Sequence, residues 1–340
     1  MNPRSQAWPS TAADRDRWVV GLRNARPVHD PARYQRLIIE DERAADDSIA
    51  QVATVFLTGR ECPWRCVICD LWQGTTTEDT PAGALPAQLA AALGSITARG
   101  AAVTQIKLYN AGSFFDPRAV PERDYGALAA LLDGFERVIV ESHPALIDRR
   151  LDVWRDALRR HDSGRSSPTA LEVAVGLETA HPAALERLNK RMTTGDFRAA
   201  AARLRHSGVA LRVFLLISPP FISPEQQDEW LARSIDEALS SGAGVISLIP
   251  TRAGNGAMDL LAAEGVFHPP RLADVERSYD AALSLAAGRA RVLVDLWDLE
   301  RLEDCTHCFE RRRARLLAMN LGQQVLPHAS CGRCGGAAHT

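Results

Sequence analysis

"VATVFLTGRECPWRCVICDLW", residues 52–72, joins a short apolar run to a loop with cysteines at 62, 66 and 69. Val52–Thr58 is rich in β-branched and aromatic residues, which predicts a strand buried on both faces. Burial on both faces belongs to a parallel sheet covered by helices. The cysteine loop then stands at the C-terminal end of a parallel strand, where such folds keep their ligands. Three thiols so close together predict a metal ion or an iron–sulfur cluster. With three protein ligands, one coordination position stays open, and an open position is where chemistry occurs.

The pattern repeats downstream. Apolar runs at 104–110, 137–142, 171–178, 210–218 and 244–250 predict five more strands. Amphipathic stretches at 86–100, 121–135, 146–161, 224–242 and 271–288 predict the helices between and after them. "HPAALERLNK" and "GDFRAAAARLRHSG" supply helix between the fourth and fifth strands. Two architectures fit six β-α units, an open doubly wound sheet and a barrel. The unusual residues collect after the strands, in "NAGSFFDP", "ESHP", "ETAHP", "SPPFISP" and "PTRAGNGAM". Six decorated strand ends imply one shared mouth, so the expected fold is α/β, a partial (βα)6 TIM-like barrel. Residues 1–50 are expected as a polar lead-in, 51–290 as the barrel, and 291–340 as a small metal-binding segment.

The chain has 340 residues, 46% of them hydrophobic, and a formal net charge of −2. That balance exerts no bulk pull on nucleic acid, though a local basic face is compatible with it. No apolar run reaches the roughly 20 residues of a membrane span, and the N-terminus lacks a signal-peptide core. The expected location is therefore cytoplasmic, where clustered cysteines serve as ligands or nucleophiles rather than disulfides. All seven cysteines fall into two groups. Cys305, Cys308, Cys331 and Cys334 form the second, with the paired C-x2-C spacing of a zinc ribbon. A structural zinc and an auxiliary [4Fe-4S] cluster both fit that set. The arginines between the pairs, Arg311, Arg312, Arg313 and Arg315, could contact phosphate or face solvent.

C-x3-C-x2-C after the first strand of a β-α barrel resembles the motif of the radical S-adenosylmethionine (SAM) enzymes. The resemblance implies a [4Fe-4S] cluster on Cys62, Cys66 and Cys69, whose free iron chelates the amino and carboxylate groups of SAM. It further implies reductive cleavage of SAM to a 5′-deoxyadenosyl radical, and an external electron donor of the flavodoxin or ferredoxin type. Where the family carries a Gly-Gly-Glu-like segment, this chain has Ala111-Gly112-Ser113. Gly112 and Ser113 keep the backbone role, and Asp116 is the nearby carboxylate. Glu141-Ser142-His143-Pro144 resembles the E-x-x-P segment of the coproporphyrinogen-oxidase and Elongator-subunit branch, in which the Glu contacts SAM. "GLETAHPAALERLNKRMT" resembles that branch's next segment and puts Lys190 where a cation binds the SAM carboxylate. Lys190 is one of only two lysines, with Lys107, among 40 basic residues.

The mouth segments of residues 50–270 are similar to the radical SAM lyase of archaeosine biosynthesis. That likeness implies a modified, 7-deazaguanine-type nucleobase or tRNA as substrate. Asp116, Arg252 and Asn255 lie on the expected mouth as candidate substrate contacts. A non-catalytic iron–sulfur or redox protein and a zinc-based nucleic-acid module are the alternatives. No membrane partner is expected.

Overall fold

The computed structural model describes residues 8–110, 112–161 and 168–334. Ala111, expected near the SAM amino group, lies outside the described residues, as do 1–7 of the lead-in and 335–340 of the C-terminal segment.

Eight strands form one sheet in sequence order: β1 Arg36–Arg43, β2 Ile49–Leu57, β3 Gln105–Asn110, β4 Arg137–Glu141, β5 Ala170–Glu178, β6 Ala210–Ile217, β7 Ala243–Pro250 and β8 Arg291–Val294. β1 is antiparallel to β2, and every later pairing is parallel. The helices are α1 Ala12–Gly21, α2 Ala84–Ala98, α3 Tyr125–Leu131, α4 Arg149–Arg160, α5 Pro182–Arg187, α6 Thr194–His206, α7 Gln227–Ser240, α8 Ala257–Ala263, α9 Leu272–Ala286 and α10 Phe309–Gly322.

The six strands expected from the sequence are β2 to β7. The sheet extends past both expected boundaries, with β1 inside the lead-in and β8 inside the C-terminal segment. The reasons are local. β1 reads RLIIEDER, an edge strand with five charged residues, so it lacks a continuous apolar run. β8 has only four residues, RVLV.

Side-chain alternation divides the sheet into two faces. Val55, Leu108, Val140, Val173, Val213 and Leu248 point outward into one apolar core with Leu89, Leu128, Trp154, Phe197 and Tyr279 of the helices. Each such fully buried side chain contributes about 1.5–3 kcal/mol. The inner face differs from the both-face apolar expectation, for it carries Phe56, Lys107, Tyr109, Glu172, Arg212, Phe214 and Ser247.

The polar members of that face form a closed ionic floor. Arg212 Nε donates to Glu172 at 2.6 Å and Nη2 to Glu42 at 2.5 Å. Lys107 pairs with Glu42, and Arg137 with Glu172 at 3.3 Å. Burial alone would raise the Glu42 and Glu172 carboxyls, but Arg212, with Lys107 on one and Arg137 on the other, holds both below the usual range. Above the floor lies an aromatic layer, with Phe56–Tyr109, Tyr109–Phe214 and Phe56–Trp297 centroids 6.2, 6.1 and 5.4 Å apart.

The sheet curls until its ends approach. Arg291 Nη1 donates to the Arg43 carbonyl at 2.7 Å, and Trp297 Nε1 to Glu40 at 2.9 Å, across the β8–β1 gap. α10 packs against both strands.

Candidate active site

The curl encloses a cavity of about 1090 Å³ that opens at the C-terminal strand ends. Cys62, Cys66, Cys69, Gly112, Ser113, Glu141, Lys190, Arg252 and Asn255 all line it. Asp116 does not appear on its wall; its carboxylate accepts from Arg118 N at 3.0 Å in the following turn.

The cysteine loop is fixed from three sides. Glu61 receives Arg23 at 2.8 Å, Arg65 at 3.2 Å and Arg26, while Arg23 and Arg26 lie over the Trp72 ring. Val67 N donates to the Leu188 carbonyl at 3.0 Å, and Asn189 Nδ2 to the Arg65 carbonyl at 2.9 Å. Asn255 Nδ2 donates to the carbonyls of Val67 at 2.8 Å and Cys69 at 3.2 Å, and its Oδ1 accepts from Met258 N. Both ends of the Asn255 amide thus hold the loop in place. Trp72 is buried, whereas Trp64 stacks on His143 with centroids 3.7 Å apart.

Beside the loop, Lys190 pairs with Glu178. Burial opposes the Lys190 charge, but Glu178, Cys66 and Glu141 raise its pKa overall. Burial pushes Glu141 up to about 7, with Lys190 pulling it down and Glu178 pushing it up. The pair requires a bare strand beneath it. A Cβ at Gly176 would collide with both the Glu178 carboxylate and the Lys190 ammonium. Glu178 also sits at φ 68°, a left-handed conformation that costs a non-glycine residue energy and marks strained strand ends at functional sites. Glu178 was not among the expected site residues, because its partner Lys190 lies twelve residues later and meets it only in the fold. Its signal was the unusual acid closing an apolar strand.

His143 Nδ1 accepts from Ala145 N at 3.2 Å, so its Nε2 carries the proton and donates to the Lys190 carbonyl at 2.9 Å. Burial and Lys190 lower its pKa to about 4, which keeps the ring neutral. Ser113 Oγ accepts from His143 N at 2.8 Å and joins the loops that follow β3 and β4. Arg252 donates to Asp295 at 2.9 Å and to the Trp297 carbonyl, which fixes the β8 side of the mouth.

The two cysteine sets differ in geometry. Burial pushes the Cys66 thiol up to about 12 and Cys69 well above its ordinary value, with Lys190 partly offsetting the rise at Cys66. Buried thiols of this kind are neutral until a cationic partner makes the thiolate favourable, which suits metal ligands. Among the described residues, only Cys305, Cys308, Cys331 and Cys334 gather their ligand atoms within 4.8 Å of one another. Their Sγ distances are 4.0 Å for Cys305–Cys331 and 3.7 Å for Cys308–Cys334. Tetrahedral Zn–S bonds of about 2.3 Å put sulfurs about 3.8 Å apart.

This half-barrel, with its cavity at the strand ends, is a TIM-like partial barrel of the kind seen in archaeal Elp3. It superposes on archaeal Elp3 from Methanocaldococcus infernus with a TM-score of 0.52 and 14% identity, over 73% of this chain and 60% of that one. In sequence the chain is distantly homologous to archaeosine synthase subunit beta. It is 30% identical to the Methanosarcina acetivorans protein over 173 residues, 49% of this chain and 47% of the relative. The chain thus spans about half the length of that relative. An uncharacterized protein of Methanocaldococcus jannaschii is 23% identical over 259 residues, 73% of this chain and 68% of the relative. No protein-family model matches the chain. Among the described residues, no helix is long and apolar enough to cross a membrane.

Proposed function

We propose that this chain is a radical SAM enzyme whose cluster is held by Cys62, Cys66 and Cys69. The observation that carries the reading is that this loop and the Lys190–Glu178–Glu141 group line one cavity together. When bound, a [4Fe-4S] cluster supplies the electron that splits SAM into methionine and a 5′-deoxyadenosyl radical. An external flavodoxin- or ferredoxin-type donor provides that electron.

The chain's own residues bind and orient. Lys190, a compact cation, takes the SAM carboxylate. Glu178 and Glu141 accept the SAM ammonium group, and Gly112 lets the backbone approach it. Asn255, Asn189 and the Glu61 arginines keep the cysteine loop in register. Phe56, Tyr109, Phe214 and Trp297 offer flat apolar surfaces on the substrate side, which suits a planar heterocycle. A modified nucleobase of the 7-deazaguanine type, by analogy with the archaeosine synthase relatives, is the proposed substrate. The sulfur spacing supports one tetrahedral zinc at the C-terminal cysteines rather than a second cluster.

Anaerobic reconstitution with iron and sulfide, followed by SAM and dithionite, tests the reading. Formation of 5′-deoxyadenosine is expected. Its absence from protein that has taken up a full complement of iron overturns the proposal.

A further inference from the structure

The C-terminal cysteines lie in a segment that also walls the cavity. Glu310, Arg313, Ala314, Leu317, Asn320 and Leu321 of α10 all line it. Their spacing of three, one, three, three and one is a single helical stripe. The opposite face of α10, with Phe309, Arg312, Leu316 and Met319, is buried. α10 therefore stands in the gap between β1 and β8, where the curled sheet fails to close.

Each end of this wall has its own anchor. At the C-terminal end, two side-chain amides pair with the free edge of β8. Gln323 accepts from Val292 N at 2.7 Å and donates to Val292 O at 2.9 Å. Asn320 makes the same exchange with Val294, at 2.9 Å in both directions. These amides do what a ninth strand would do. At the N-terminal end, Cys308 is itself the cap residue of α10. Cys305 precedes it, and the chain returns to bring Cys331 and Cys334 against it. Ion pairs from Arg312 to Glu276 at 2.9 Å and from Arg315 to Asp280 at 2.8 Å tie the middle of the helix to α9.

We propose that the four-cysteine metal site serves the cavity: it fixes the N-terminal end of α10 as the wall that closes the barrel's open side around the substrate. This rests on the reading that these cysteines hold a metal ion. It makes the C-terminal segment part of the substrate site rather than a separate nucleic-acid module. It also makes Glu310 and Arg313, nearest the metal, the wall residues most dependent on it.

The test uses full-length protein in three forms: zinc-loaded, zinc-stripped by a chelator, and Cys331→Ala/Cys334→Ala. Hydrogen exchange is read over residues 309–317, and side-chain oxidation by hydroxyl-radical footprinting at Trp297 and Phe56. Metal loss in either form is expected to speed exchange at least tenfold over 309–317 and to raise oxidation of the cavity side chains about threefold. Zinc returned to the stripped wild type should reverse both. Zinc that binds and is removed without changing either readout overturns the cavity role while leaving the metal site intact. Wild-type protein that takes up no metal at these cysteines overturns both together.

Discussion

Arg212→Met cuts the ionic floor of the cavity at its centre. Arg212 and Glu172 are 2% and 1% exposed, so neither charge is relieved by water. Removing one partner of a buried pair costs about 3–5 kcal/mol, because the other charge stays buried and uncompensated. Here the lower end applies, since Glu172 keeps Arg137 and Glu42 keeps Lys107. An unfolding entropy of about 2.1 cal/mol/K per residue gives about 0.7 kcal/mol/K for a chain of 340 residues. A loss of about 3 kcal/mol then lowers Tm by about 4 °C. The sign with pH follows from the depressed carboxyl pKa values. In the wild type these groups contribute stability that is fully present above the ordinary Glu value of about 4.3 and is lost as pH falls below it. In the variant they are buried without Arg212, and acid relieves them. The Tm gap should therefore narrow between pH 7 and pH 4. Glu172→Gln added to the variant should recover part of the loss, as coupled partners do. Thermal melts of four proteins across that range, the wild type, both single variants and the double, are the assay. A drop below 1 °C at pH 7, or a double variant that falls by the full sum of the singles, would refute the assignment.

Replacing any of Cys62, Cys66 or Cys69 by Ala should abolish 5′-deoxyadenosine formation, because a cluster on two thiolates is under-ligated; two variants with normal turnover would sink the cluster assignment. Glu141→Ala and Lys190→Ala should each weaken SAM by about 1–3 kcal/mol, read by equilibrium binding to iron-loaded protein. Gly176→Ala should reproduce much of the Lys190 loss, since the added methyl displaces the Lys190–Glu178 pair; unchanged SAM affinity would separate the pair from the site. Metal analysis of the reconstituted protein should give about one zinc beside about four irons. About eight irons without zinc would make the C-terminal site a second cluster.

The parallel core was legible from the chain alone because each of its strands is a local signal. β2 to β7 are short β-branched runs, and the loops rich in Gly, Pro and chemically active residues that line the mouth follow them. The cysteine spacing was equally local, three ligands within eight residues and two C-x2-C pairs. Burial, by contrast, is a property of neighbours. The charges of β1 read as part of a polar lead-in until the curl brings Glu42 against Lys107 and Arg212, 65 and 170 residues away. Asn255 read as a mouth residue, and only packing against the cysteine loop 186 residues earlier shows what its amide holds. Glu178 gained meaning once the chain turned back to bring Lys190 over Gly176. The arginines between the metal ligands read as phosphate contacts or a solvated face, yet tertiary structure buries Arg312 and Arg315 in ion pairs and turns the opposite stripe of α10 into a cavity wall. Periodicity and ligand spacing are written in consecutive residues, whereas charge pairing, closure of the barrel and the meeting of two loops depend on distances that exist only after the sheet has curled.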